Sequence, residues 1–356
     1  MTIFGVPWSE LTLEGVASYL DDAEEEPLLW EAKGIQLQAH AVRKEVGAFG
    51  NSHDGGYLIL GAEQGETWEL TGCEFPAEPR VWVSQTIHDG IRPVPPFDVH
   101  AFPEKDGHVA VVRVQSTPVP PCIVRGTVYE RIPGAAIPVK APERLSELFQ
   151  RGDLARAGAE SGARHGARRL MINGVGRGSL FGGSDNGRKV QAAVALAPTG
   201  MQPDISSRLF TRPFEEALSQ AAQALHGGPR LPSAAPPEIS WSQDTLAVDL
   251  DIADVARTHW RVQAGWDGVV GIYYLIELTE VFIESLIEHV VGAAWDAGIG
   301  LLRQLGATGP MFVMVIAAGG PFPANVPTNT SLEDRFLELG RGPVALDDNP
   351  AAHLQH

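Results

Sequence analysis

Apolar and polar positions divide the 356-residue chain into two patterned blocks with an irregular stretch between them. In the first block, Leu11, Leu13, Val16 and Leu20 recur at near-helical spacing and predict a short helix over residues 10–20. Glu31 to Lys33 reads as a strand or its end. Ile35 to Phe49 reads as a helix, with Ile35, Val42, Val46 and Phe49 on one side and Gln36, Gln38, Arg43 and Lys44 on the other. Asn51 to Gly56 is a turn, because Asn, Asp and Gly tolerate positive φ. Tyr57 to Ala62 is a buried-type strand and Val81 to Ile91 a helix, ended by the proline-rich Arg92 to Pro96. Asp98 to Phe102 and Val109 to Val114 read as paired strands, and Glu143 to Phe149 opens a further helix.

Residues 151–188 change character. Asp153 to Leu170 is compatible with a helix exposing Arg156, Arg164, Arg168 and Arg169, and Gly174 to Gly187 holds six glycines and reads as a linker. Beyond it, strands are expected at Val190 to Leu196, Leu246 to Ile252, Val269 to Tyr274 and Met311 to Ala317. Helices are expected at Phe214 to Leu225 and over Leu275 to Leu305, the latter as one helix or two broken at Gly298. Gly227 to Pro237 is a proline-rich break. The expected organisation is thus a domain over 1–150, a Gly/Arg-rich connector over 151–188 and a second domain over 189–356. The fold class is α+β, with the second domain read as unassigned α/β.

Composition narrows the function. The longest apolar runs are far shorter than the roughly 20 residues that span a bilayer, and the N-terminus lacks a basic segment followed by an apolar core, so neither a membrane partner nor a signal peptide is expected. Cys73 and Cys122 are the only thiols and have no CxxC spacing, which speaks against a zinc site or a disulfide framework and fits a reducing cytosol. The formal net charge of −17 opposes coating of nucleic acid. The charge is uneven, however: residues 151–200 carry 8 basic and 3 acidic side chains, a basic island between two acidic blocks.

The candidate chemistry lies in residues 26–63. Glu26 and Glu31 precede Lys33, and Glu63 ends the strand after the glycine turn. Residues five apart on a strand face opposite sides, so Glu26 and Glu31 converge only if Pro27 bends the chain or if Glu26 ends a helix before Glu31 starts a strand. Three converging carboxylates suit a hard divalent cation, and Lys33 would neutralise phosphate. The alternative is that Glu24 to Glu26 are a solvated acidic run. Gly55 and Gly56 either serve the turn or form an anion-binding nest. No Gly-Lys-Ser/Thr follows them, so no ATP site is expected.

The ordered set Glu31-Ala-Lys33, Ala48-Phe49-Gly50-Asn51-Ser52, Gly55 to Gly61, Leu70-Thr71-Gly72 and Val128 to Gly134 resembles the Schlafen AlbA-like domain over about residues 10–149. The resemblance implies nucleic-acid binding, RNA before DNA, and in some members Mg²⁺- or Mn²⁺-dependent RNA cleavage. Carried over by position, Glu26 and Glu31 would hold the metal with Lys33 beside them, and Glu63, one residue before the family's position, would be the third ligand. It also implies a homodimer or two-lobed basic valley. Candidate nucleic-acid contacts are His40, Arg43, Lys44, Arg125 and Arg131, with Arg164, Arg168 and Arg169 from the basic island. Two departures stand out. The turn has His53-Asp54 where one residue is usual, and Gln64 stands where cleaving members carry an aspartate, leaving Glu63, Glu66 or Asp54 as substitutes. The competing reading is a non-catalytic regulator on the same fold, and a third is an assembly scaffold.

Overall fold

The computed structural model describes residues 2–23, 28–65, 67–105, 107–178, 188–201, 205–225, 238–242, 245–253, 257–278, 283–320 and 337–344. Glu26, Glu66 and the glycines between 179 and 187 lie outside the described residues. The chain forms two compact units, Met1–Leu154 and Ala155–His356.

The first unit begins with a 3-10 turn at Trp8–Glu10 and helix α1 (Leu13–Asp21), whose Thr12 side chain accepts from the Gly15 N–H as an N-cap. Then come β1 (Trp30–Lys33), α2 (Ala39–Asn51), β2 (Gly56–Leu60), β3 (Ala62–Gln64), β4 (Trp68–Leu70) and α3 (Pro79–His88). The remainder is β5 (Ile91–Arg92), β6 (Phe97–Glu104), β7 (Gly107–Val114), β8 (Ile123–Val124), β9 (Thr127–Ile132), β10 (Ala135–Pro138) and the start of α4 (Pro142–Gly178). The main sheet runs β1-β2-β7-β6, with β1 parallel to β2 and the other pairs antiparallel. A smaller antiparallel sheet runs β10-β9-β8-β5.

Strand alternation gives the main sheet two apolar faces. Trp30, Ala32, Ile59, Val109 and Val111 pack under α1 and the N-terminal segment. Leu58, Leu60, Ala110 and Val112 pack against Val42, Val46 and Phe49 of α2 and against Val124 and Tyr129 of the smaller sheet. Helix α2 is therefore sandwiched, and this fixes the surroundings of every side chain on its inner stripe. The turn after α2 needs its glycines. Gly55 has φ +71, and a β-carbon on Gly56 would collide with the Phe49 ring. The Gly55 N–H donates to the Ser52 hydroxyl at 2.9 Å, so this amide closes the turn.

The second unit differs from the α/β expectation. The rest of α4 is followed by β11 (Arg188–Met201), α5 (Ile205–Leu209), α6 (Arg212–Ala224), β12 (Glu238–Trp241), β13 (Thr245–Ala253), β14 (Arg257–Gly265), β15 (Val270–Leu278), α7 (Ile283–Gln304), β16 (Ala307–Gly320) and β17 (Leu337–Val344). Its sheet has the order β12-β13-β14-β15-β11-β16-β17, and every described pair is antiparallel. It is thus a mixed helix-and-sheet unit without βαβ crossovers among the described residues. Both faces are apolar: Ala192, Val194 and Leu196 face α6 and α7, and Ala193, Ala195 and Ala197 face α4.

Three sequence expectations are settled or extended here. The helix expected over Asp153 to Leu170 runs on to Gly178, and Ala159, Ala163, Ala167 and Leu170 form an apolar stripe on the sheet at three- and four-residue steps. Leu275 to Leu278 finish β15 rather than begin a helix, because Leu275 and Tyr273 alternate into the α4 face of the core. Helix α7 runs through Gly298, where the missing side chain lets Leu196 approach.

Candidate nucleic-acid interface

Strand β1 places Glu31 and Lys33 on one face and Trp30 and Ala32 on the other. The charged face looks toward α2 and β9. Glu31 is 3% exposed and Glu45, from the inner stripe of α2, is 1% exposed. Their partner is Arg131 of β9. Its Nη1 donates to Glu31 Oε2 at 2.6 Å and to Glu45 Oε2 at 2.8 Å, its Nη2 donates to the Trp30 carbonyl at 3.1 Å, and its guanidinium lies 4.8 Å from the Phe49 ring centroid. Lys33 Nζ donates to Glu31 Oε1. Glu45 Oε1 is approached by Lys33 Nζ at 3.8 Å and by Lys44 Nζ at 3.5 Å. Two buried carboxylates are thus answered by three cations, which is how an interior tolerates charge. Arg131 is enclosed, whereas the lysine side chains are 31% and 30% exposed, so the surplus positive charge emerges at the surface.

The candidate contacts separate on burial. Arg43 and Arg131 are corrected to structural roles: both are buried, Arg43 Nε donating to the Thr86 carbonyl at 2.7 Å and Arg131 to the carboxylates. His40 is exposed one helical turn before the half-exposed Lys44. Arg125 is exposed in the β8–β9 turn with φ 46. In the second unit, Arg164 is exposed and pairs with Glu160 at 3.0 Å, while Arg168 and Arg169 are partly buried, Arg169 reaching the Thr245 hydroxyl at 3.5 Å.

Of the expected metal ligands, Glu26 lies outside the described residues, and Glu31 and Glu63 each have partners of their own. Both Glu31 oxygens are engaged by cations. Glu63 is exposed on β3, and its Oε1 accepts the Ile35 N–H at 3.0 Å. A β-carbon at Gly34 would collide with that carboxylate, so the glycine makes room for it. Gly34, Ile35, Gln36 and Glu63 line an open depression of about 430 Å³. Among the described residues no three His, Cys, Asp or Glu side chains are grouped to hold a metal ion. Burial pushes the Cys73 thiol up to about 11 and the Cys122 thiol to about 12, so neither supplies a thiolate near neutral pH.

Asn51 ends α2 and ties it to the smaller sheet. Its Nδ2 donates to the carbonyls of Cys122 at 3.1 Å and Tyr129 at 2.8 Å, and its Oδ1 accepts the Cys122 N–H at 2.6 Å. Asn51→Leu leaves three buried backbone groups without partners and is expected to cost on the order of 3 kcal/mol, read from urea unfolding.

Glu45 was absent from the sequence reading, although a signal existed. It lies within the Val42, Val46, Phe49 stripe, where a charged residue demands a buried partner.

This domain, with α2 between two sheets and an inward Glu-Lys strand, carries the motifs of residues 31–134 at the positions the resemblance assigns. Residues 26–140 match the Schlafen, AlbA_2 family model. That family is compatible with nucleic-acid binding. No curated protein matches the chain. Among solved structures, the DIP2311 protein from Corynebacterium diphtheriae is similar at 21% identity and a TM-score of 0.29, over 38% of this chain and 32% of that one. The similarity therefore spans about a third of that protein's length. No described helix is long and apolar enough to cross a membrane.

Proposed function

We propose that the AlbA_2 domain binds nucleic acid, RNA in the first place, by holding backbone phosphate between Lys33 and Lys44 with His40 beside them, and that it does so without cleaving the strand. One observation carries the reading: both ammonium groups converge on the same oxygen, Glu45 Oε1, at 3.8 and 3.5 Å. One phosphate, with charge-assisted bonds of about 2.7–2.9 Å, fits between two such donors. Glu45 offsets the repulsion between the lysines and fixes their positions. Arg131 in turn holds Glu45. The domain is strongly acidic elsewhere, which confines phosphate to this patch and makes binding salt-sensitive.

The rival reading is Mg²⁺- or Mn²⁺-dependent cleavage by Glu26, Glu31, Glu63 and Lys33. The described donors do not fit a divalent ion, because the oxygens of Glu31 and Oε1 of Glu63 already serve Lys33, Arg131 and the Ile35 amide. Incubating the purified chain with tRNA and Mn²⁺ tests this directly, beside anisotropy titrations with single-stranded RNA and DNA of one sequence. The expected result is intact tRNA and salt-dependent binding, tighter for RNA. Cleavage that disappears in Glu63→Gln overturns the non-catalytic half of the reading. Absence of binding at low salt overturns the whole.

A further inference from the structure

Residues 2–10 form a strap over the Tyr57 side of the main sheet, held by aromatic rings. Phe4 meets Tyr19 and Tyr57 edge-on, with centroids 5.2 and 5.4 Å apart. Trp8 lies 6.3 Å from Tyr57 and 4.4 Å from His100 of β6, and Phe102 stacks on His100 at 5.9 Å. Tyr57 and His100 also hydrogen-bond to strap backbone, at Ile3 and Trp8 respectively. Ile3, Phe4, Val6 and Trp8 pack on the cluster that contains Trp30, so the strap backs the strand that carries Glu31 and Lys33.

The closed strap leaves no room for another cation. The Arg113 guanidinium of β7 sits 5.1 Å from the Trp8 ring centroid, and its Nε is buried without a hydrogen-bond partner. Its Nη2 donates to Asp98 Oδ2 at 2.7 Å. Among the described residues, three charged groups face His100: Arg80 of α3, Asp98 of its own strand and Arg113. A protonated His100 would therefore meet two cations and one carboxylate that Arg113 already engages, in a partly dehydrated site. The Trp8 ring, the natural acceptor for a cation, already carries Arg113.

We propose that His100 is a pH-sensitive latch on this strap. Neutral, it keeps residues 2–10 closed over the sheet; protonated, it releases them and uncovers Tyr57 and the Trp30 side of β1. Burial holds the His100 imidazole below the ordinary histidine value of 6.5, and Arg80 and Arg113 push the same way, against the Trp8 backbone and Asp98. A histidine that titrates lower in the closed than in the open state favours the open state once it is charged. Closure is thus fully favoured above pH 6.5 and is lost as pH falls through the lower, closed-state value.

Hydrogen exchange of the full chain at about pH 8 and about pH 5 tests the latch. Protection of residues 2–12 is referred to that of helix α6 in the same sample, which cancels the intrinsic pH dependence of exchange. The expected result is strap protection that falls several-fold at the lower pH in the native chain and persists in His100→Phe, which keeps a ring against Trp8 and takes no proton. A native strap equally protected at both pH values overturns the proposal. So does a His100→Phe strap that opens at low pH as the native one does. If His100→Phe leaves the strap open throughout, NMR titration of His100 in the native chain decides. A midpoint below 6.5, shared by the strap amides, supports the latch, and one at or above 6.5 overturns it.

Discussion

Arg131→Met will destabilise the first unit by about 3–5 kcal/mol, the cost of leaving buried charge without its partner. Glu31 and Glu45 share one guanidinium nitrogen, Nη1, and together they are almost wholly withdrawn from water. Lys33 and Lys44 approach the same carboxylates but from the half-exposed side, so they cannot replace a cation inside. A loss of that size is a large share of the roughly 5–15 kcal/mol that holds an ordinary domain together. Urea unfolding and hydrogen exchange of the α2 and β1 amides read it. Neutralising the carboxylates as well, in Arg131→Met with Glu31→Gln and Glu45→Gln, should recover about 2 kcal/mol or more, because the penalty lies in the orphaned charges. A single-variant loss below about 1 kcal/mol would show that the cluster is hydrated and carries little energy.

Much of this was legible in the sequence, and the failures have physical causes. Strand β1, helix α2 and strand β2 follow from alternation and from the Val42, Val46, Phe49 stripe, and the ordered motifs named the domain type. Asn51 and the glycines also stood out, though their roles are conformational. Arg131 was misread because strand period two puts it on the inner face with Tyr129, a placement only the pairing of β9 with β10 and its packing on α2 makes plain. Glu31 drew attention rightly, since it lies among apolar neighbours. What it partners is 100 residues away in sequence and beyond any local pattern. In the second unit, local periodicity found most strands and helices but could not give their pairing, so an antiparallel sheet was read as α/β. The arginines of residues 164–169 looked like an exposed island until the alanine stripe of α4 turned part of that helix toward the sheet.

Lys33→Gln with Lys44→Gln will weaken RNA binding about 30- to 100-fold at low salt, on the scale of two charge-assisted bonds of roughly 1.5–3 kcal/mol each, partly offset by water. The fold should survive, because Arg131 still holds both carboxylates, although the cluster then carries a net negative charge. His40→Gln should have a smaller effect in the same direction, since His40 lies beside the lysine pair, one helical turn before Lys44, and makes no part of the convergence on Glu45. Arg164→Gln should have the smallest effect, because its guanidinium is already paired with Glu160.

The most direct measurement is the salt dependence of single-stranded RNA binding for the native chain and the double lysine variant. Each phosphate contact contributes a slope of about 0.7 in log K against log salt. Loss of both lysines should therefore flatten the plot by about 1.4, with the variant still folded by circular dichroism. Equal slopes and equal affinities for the two proteins would contradict the account, because they would mean that Lys33 and Lys44 do not hold phosphate.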